Sequence, residues 1–193
     1  MPSGFQVSQL PVPNILAENG VGGYYTPVSS TDGNLNYLGQ EFTILCPTFK
    51  KLKKVRIVKN ASNSTLYANE LVKFSTTAGE FTTHVGALTA ANAEKGWPVD
   101  CNVPSTGVPN GSWFLLVMEG LNYVMLPATE VAAAAWSVGS QIVATASGRA
   151  VVFDPNLGTT TQSNQILGIV GKMLSAATSS NTSATKTVWV GHP

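Results

Sequence analysis

The segment Ser112-Trp-Phe-Leu-Leu-Val-Met118, followed by Glu119-Gly120 and Asn122-Tyr-Val-Met-Leu126, reads as two β-strands around a turn. The apolar residues of the first part are consecutive rather than alternating, which points to a buried strand. Glu119-Gly120 has turn chemistry, so residues 122–126 are expected to return as the second arm of a hairpin.

Further strand signals lie on both sides. Upstream, Glu41-Phe-Thr-Ile-Leu-Cys46, Val55-Arg-Ile-Val58 and Leu71-Val-Lys-Phe74 read as strands, with a shorter one over Phe81–Val85. Asn60-Ala-Ser-Asn-Ser-Thr65 makes a polar turn between them. Ala87–Lys95 is Ala-rich and predicts a short helix starting near Thr89 or Asn92. Pro98, Pro104, Pro109 and Asn110-Gly111 mark residues 96–111 as loop. Downstream, Gly139-Ser-Gln-Ile-Val143 and Ser147-Gly-Arg-Ala-Val-Val152 predict a strand pair, and Val131-Ala-Ala-Ala-Ala-Trp136 one or two helical turns. Ile166–Val170 and Val188–Val190 supply the last strands, separated by a Ser/Thr-rich tip. Ile142, Val151, Ile166, Leu174 and Val190 are expected to share one hydrophobic edge.

Residues 1–40 have a different texture. Pro2, Pro11, Pro13 and Pro27 disfavour helix, and Gly20, Gly22, Gly23, Gly33 and Gly39 disfavour regular strands. Yet Phe5, Val7, Leu10, Val12, Ile15, Leu16, Tyr24 and Tyr25 are too apolar for a solvated tail, so they are expected to be covered. The predicted fold is mainly β: two small antiparallel β-sheet or barrel units, β-clip or β-sandwich like, with short helices and an extended N-terminal arm. The expected divisions are 1–40 for the arm, 41–105 for one β unit and 106–193 for the other.

Only 11% of the 193 residues are charged, while 44% are apolar and the net charge is +1. A neutral, Ser/Thr/Asn-rich skin suits a surface committed to neighbours rather than to water. Cys46 and Cys101 have no metal-ligand spacing and read as free thiols. Asn60, Asn63, Asn110 and Asn181 match the glycosylation pattern at the rate an Asn- and Thr-rich chain produces by chance. Met-Pro-Ser-Gly-Phe lacks a signal-peptide pattern, and no apolar run approaches the ~18 residues of a membrane span. The expectation is synthesis in a host cytoplasm, with no membrane partner.

No arrangement of acid, base and nucleophile stands out. His84 and His192 are the only histidines, and neither lies near a nucleophile motif. The ten acids, at 18, 32, 41, 70, 80, 94, 100, 119, 130 and 154, form no close pair of the kind glycoside hydrolysis needs. Neither Cys-x-x-Cys nor His-Glu-x-x-His is present, and Gly20-Val-Gly-Gly23 lacks the flanks of a nucleotide loop. The reading is a non-enzyme without metal or cofactor.

Lys50-Lys-Leu-Lys-Lys-Val-Arg-Ile-Val-Lys59 holds six of the eleven basic residues. On a strand, Lys51, Lys53, Val55, Ile57 and Lys59 share one face, and Leu52, Lys54, Arg56 and Val58 the other. The charges form no single stripe and Phe49 is the only adjacent aromatic, which disfavours nucleic-acid binding. Such lysines either guard a strand edge or meet an acidic patch on a partner, where they aid orientation and encounter rate. Arg149, in a Ser-Gly-Arg turn, is placed to reach carbonyls across a subunit boundary.

The segment from Gly120 to Val190 resembles the recurrent module of phage head decoration, or cement, proteins. The resemblance rests on Gly139–Val143, Gly148–Val152, Ile166–Gly171 and Val188–Val190, with Lys54-x-Arg56-x-x-Lys59-Asn60 resembling the strand upstream. Ser140 departs from it, standing where an acidic residue is common. The resemblance implies a structural virion protein that decorates and stabilises an icosahedral phage capsid. It would be a homotrimer on the outer capsid surface, bridging neighbouring major capsid proteins at local three-fold axes. The expected interface comprises Phe5, Val7, Leu10, Val12, Ile15, Leu16, Tyr24, Tyr25, Lys51, Lys53, Lys54, Arg56 and Arg149, with Trp113, Trp136 and Trp189 serving the core or the trimer contact. A phage tail or receptor-binding component is the first alternative, and a small hydrolase built on His84 the second.

Overall fold

The computed structural model describes residues 23–26, 37–89, 95–126, 137–153, 168–175 and 185–191. Within them lie eleven strands: β1 (Tyr24–Tyr25), β2 (Glu41–Cys46), β3 (Lys51–Asn60), β4 (Leu71–Phe74), β5 (His84–Ala87), β6 (Trp97–Pro98), β7 (Trp113–Met125), β8 (Gln141–Ala144), β9 (Ala150–Val152), β10 (Ile169–Met173) and β11 (Thr185–Val190). No α-helix occurs among the described residues, where mainly β structure is found as expected. The proposed helical stretches fall largely on residues 90–94 and 127–136, outside the described residues, and Ala87 ends β5.

The expected hairpin at residues 112–126 is instead a single strand. β7 runs unbroken for 13 residues and changes partner midway. Its first half pairs with β3, from Lys59 opposite Trp113 to Lys54 opposite Glu119. Its second half pairs with β11, from Val190 opposite Gly120 to Thr185 opposite Met125. At the junction the β3 register slips, so that Lys54 faces Glu119 while Val55 faces Val117, which leaves a bulge at Met118. Gly120 has φ +110, and a Cβ there would sit 2.8 Å from Lys53 Cβ. The glycine read as a reversal thus supplies a bend, because positive φ and close approach serve either purpose.

Two packed layers follow from that bend. β1 to β7 form one sheet, and β7 to β11 continue as a second, in the order β6-β4-β5-β3-β7-β11-β10-β8-β9, with β1 on β7 and β2 on β3. The path is open rather than closed into a barrel, and all pairings are antiparallel except β3 with β5. The strand pair around Ser147-Gly148 forms as expected, with Val143 opposite Val151. The segment after residue 105 contributes β7, which hydrogen-bonds to β3 from the segment before it.

One core lies between the layers. Ile44, Val55, Ile57, Trp113, Leu115 and Val117 of the first sheet meet Val124, Ile142, Met173, Val188 and Val190 of the second. The other face of the first sheet carries a separate core, where Val58, Phe114 and Leu116 pack under Leu66, Val99, Val103 and Val108. Trp113, Leu115 and Val117 therefore serve one core while Phe114 and Leu116 serve the other, which is why the apolar run does not alternate. Within the expected edge Ile142 and Val190 are buried and Val151 half-buried. Leu174 is exposed, because it falls beyond the end of β10, and Ile166 lies outside the described residues.

Gly171 marks the tightest strand contact. A Cβ there would fall 1.9 Å from Trp189 O, whereas one at Gly86 would meet nothing within 4 Å. Gly171→Ala should lower stability by about 3 kcal/mol or more, since backbone cannot yield as a side chain can. Gly86→Ala should be neutral, or stabilising by up to ~1 kcal/mol through lost unfolded-state freedom. Urea denaturation of the two variants checks both.

Candidate interaction surface

The β2–β3 hairpin is set by a turn at residues 47–50, in which Lys50 takes φ 53 and its N–H donates to Cys46 O at 2.9 Å. Its register places Ile44 opposite Lys53 on one face and Leu45 opposite Leu52 on the other. Glu41, Thr43 and Leu45 are exposed while Ile44 and Cys46 are buried, the alternation of a sheet with one wet face.

Lys53 shares the inward face with Val55 and Ile57, and only 2% of it is exposed. The expectation that it belongs to a surface interface is corrected: its ammonium is held inside by Asp100. Lys53 Nζ lies 2.7 Å from each carboxylate oxygen, and both side chains are fully buried. Asp100 Oδ1 also accepts from Asn102 N at 2.9 Å and Asn102 Nδ2 at 2.8 Å. Burial works against the Lys53 charge, but the Asp100 carboxylate outweighs it and holds the lysine above its ordinary range. Asn122 secures the same loop, accepting from Cys101 N at 3.0 Å and donating to Val99 O at 3.0 Å. The ion pair thus pins the hairpin to the loop that precedes β7.

The outer face of β3 changes character along its length. At Val58 it is roofed by the second core, and at Arg56 the guanidinium sits 5.2 Å over the Phe74 ring. Beyond Arg56 the roof ends. Leu52 is 65% exposed and Leu45 55%, side by side across the hairpin. Trp189 is 43% exposed, because its neighbours Val188 and Val190 take the inward positions of β11. Thr43, Leu52, Lys53, Lys54, Glu119, Gly120 and Trp189 line a shallow groove of ≈ 220 Å³ at the junction of the layers. Glu41 pairs with both Lys54 and Arg56. Lys54 chiefly, helped by Arg56 against burial, holds the Glu41 carboxyl below its ordinary range. This stabilisation is present at neutral pH and is lost as pH falls through the lowered value.

The other expected interface residues are dispersed. Lys51 is exposed near the turn, Lys54 is exposed and Arg56 is half-buried. Tyr24 is half-buried opposite Phe114, and the Tyr25 backbone pairs with Trp113. Arg149 is half-buried in the β8–β9 turn, where its N–H donates to Thr145 Oγ1 and its carbonyl accepts from Thr145 N. Phe5, Val7, Leu10, Val12, Ile15, Leu16 and Trp136 lie outside the described residues. Trp113 is core, with 1% exposed. His84 Nδ1 lies 2.8 Å from Thr83 Oγ1, in a turn where Glu80 O accepts from both backbone N–H groups. Among the described residues no cluster of His, Cys, Asp and Glu is spaced for a metal. Leu45 was not among the expected contacts, although the alternation Glu41, Thr43, Leu45 places it on the wet face.

No family model matches the chain, and no curated protein matches it. Among solved structures, it is similar to the head fiber gp8.5 N base of bacteriophage phi29, at 14% identity and a TM-score of 0.41. The match covers 71% of this chain and 92% of that one. A similarity of this strength assigns neither role nor partner.

Removing Asp100 should be far costlier than removing the pair. Asp100→Ala leaves a buried ammonium without its counter-charge and should cost about 3–5 kcal/mol. The double variant Lys53→Met with Asp100→Asn should recover a large part of that loss. A double-mutant cycle by urea denaturation measures the coupling, and additive losses would contradict this account.

Proposed function

We propose that the chain is a structural component of a phage virion, lying on the outer capsid surface and stabilising the shell by bridging neighbouring major capsid subunits. The observation that carries this reading is the unroofed hairpin face, with Leu45, Leu52 and Trp189 exposed on a chain whose surface is unusually poor in charge. Apolar side chains held outward on a rigid sheet suit a docking face. The exposed Lys51 and Lys54 rim it and would orient an acidic partner surface. The sequence resemblance to head decoration proteins supports the same role.

The mechanism is mechanical. A subunit seated across a boundary adds contact area that must be lost before the shell subunits separate, so its binding favours the assembled state by mass action. In this reading the segment carrying Phe5, Val7, Leu10, Val12, Ile15 and Leu16 is a strap over a neighbouring subunit. Its root would be β1, where Tyr24 and Tyr25 pair with β7. Self-association as a trimer belongs to the same proposal, with the groove by Trp189 as the contact between copies or with the shell.

Four measurements test it. Antibody against the chain should label intact particles on their outside, and particles without label would overturn the assignment. Light scattering on the purified chain should give three times 20.2 kDa, and a monomer would remove the trimer. Leu52→Lys should weaken particle binding about tenfold, or ~1.4 kcal/mol, with melting temperature unchanged, since the side chain is already in water. Deleting residues 1–22 should abolish particle occupancy while leaving the β core folded, and undiminished occupancy would remove the strap.

A further inference from the structure

The Lys53–Asp100 network has two neighbours that the assembly reading does not use. Cys46 closes β2 and is fully buried, and Cys101 follows Asp100 in the loop before β7 and is half-buried. Both are free thiols. Three contacts draw the two segments together: Lys53 to Asp100, Thr48 Oγ1 to Asn102 Oδ1 at 2.7 Å, and Asn102 Nδ2 to Cys46 Sγ at 3.6 Å. Asn102, the residue after Cys101, thus carries that segment to the Cys46 sulfur, and the Lys53 charge acts on both thiols.

We propose that Cys46 and Cys101 form a peroxide-responsive dithiol that closes to an intramolecular disulfide, tying the β2–β3 hairpin to the loop before β7. The two thiols have unequal roles. Burial raises Cys46, but hydrogen bonding from the Phe49 backbone, the Lys53 charge and Asn102 outweigh it and leave the thiol below its ordinary range. Burial pushes Cys101 up to about 12, so it stays protonated. Cys46 is therefore the attacking sulfur and Cys101 the resolving one.

The chemistry needs only a hydroperoxide as oxidant. The Cys46 thiolate attacks one peroxide oxygen, the O–O bond breaks, and hydroxide leaves, giving a sulfenic acid on Cys46. The Cys101 sulfur then attacks the Cys46 sulfur. An S–S bond forms, the S–O bond breaks, and the hydroxyl departs as water with the Cys101 proton. Both sulfurs are oxidised and one peroxide is reduced. A small oxidant would approach on the side of Cys101, which is less buried than Cys46.

The folded full-length chain is treated with hydrogen peroxide, then denatured and alkylated with a maleimide. The expected result is a drop from two reactive thiols per chain to none, a mass loss of about two hydrogens, and a peptide linking Cys46 to Cys101. The melting temperature should rise, and dithiothreitol should reverse both changes. Cys101→Ala should stop at a sulfenic acid on Cys46, read as the mass of one added oxygen and trapped by dimedone once the chain is denatured. Cys46→Ser should leave Cys101 unoxidised at the same dose. The wild-type peptide map decides even if a variant misfolds. Two intact thiols after treatment, a disulfide between chains, or sulfinic acid without a linked peptide would each overturn the proposal.

Discussion

The strand β7 is buried on both faces, and the remainder of the fold is arranged to satisfy that. A strand with apolar side chains on alternate sides needs two covers, because either face left in water would forfeit roughly 25 cal/mol for each Å² of apolar surface. One cover is the second sheet, reached by bending β7 at Gly120 so that its own continuation becomes part of the lid. The other is a roof of loops carrying Leu66, Val99, Val103 and Val108. Those loops are polar along much of their length, so they must be tied internally. Asn60 does this at one point, donating to Ser64 O and Val108 O while accepting from Ser62 N.

The roof is shorter than the strand it covers, and the candidate surface arises from this mismatch. Sheet registry carries the β2–β3 hairpin past the edge of the second core, where its inward face is closed and its outward face is not. Lys53 stands at the limit of the closed face. A lysine there is tolerated because Asp100 arrives from 47 residues away to neutralise it. The pair is a fastener rather than a source of net stability, since desolvating two charges consumes most of what their attraction returns. What it secures is position. The hairpin and the loop before β7 are held in one arrangement, which also sets Leu45 and Leu52 outward and holds Asn102 against the Cys46 sulfur.

Several features were legible in the sequence because they depend on short-range rules. Glu41–Cys46 and Leu71–Phe74 were bounded correctly, since alternation and β-branched or aromatic content define a strand locally. The division of Lys53, Val55 and Ile57 from Leu52, Lys54, Arg56 and Val58 was also correct, for period two is a property of the backbone. Which side faces the core was not legible. Lys53 looks like a surface residue to any local reading, because its partner is distant in the chain.

The sequence by itself determined that this is a mainly β protein, that residues 41–46 and 71–74 are strands, and that residues 112–117 lie in the interior. Only the tertiary structure decided that Glu119-Gly120 bends one strand instead of reversing it. A glycine at positive φ permits both outcomes, and the choice belongs to the partner strands: β3 and β11 each extend along β7, so pairing with both satisfies more backbone than folding β7 on itself. The open hairpin face was decided at the same level, because the reach of a roof over a sheet depends on how far other segments extend.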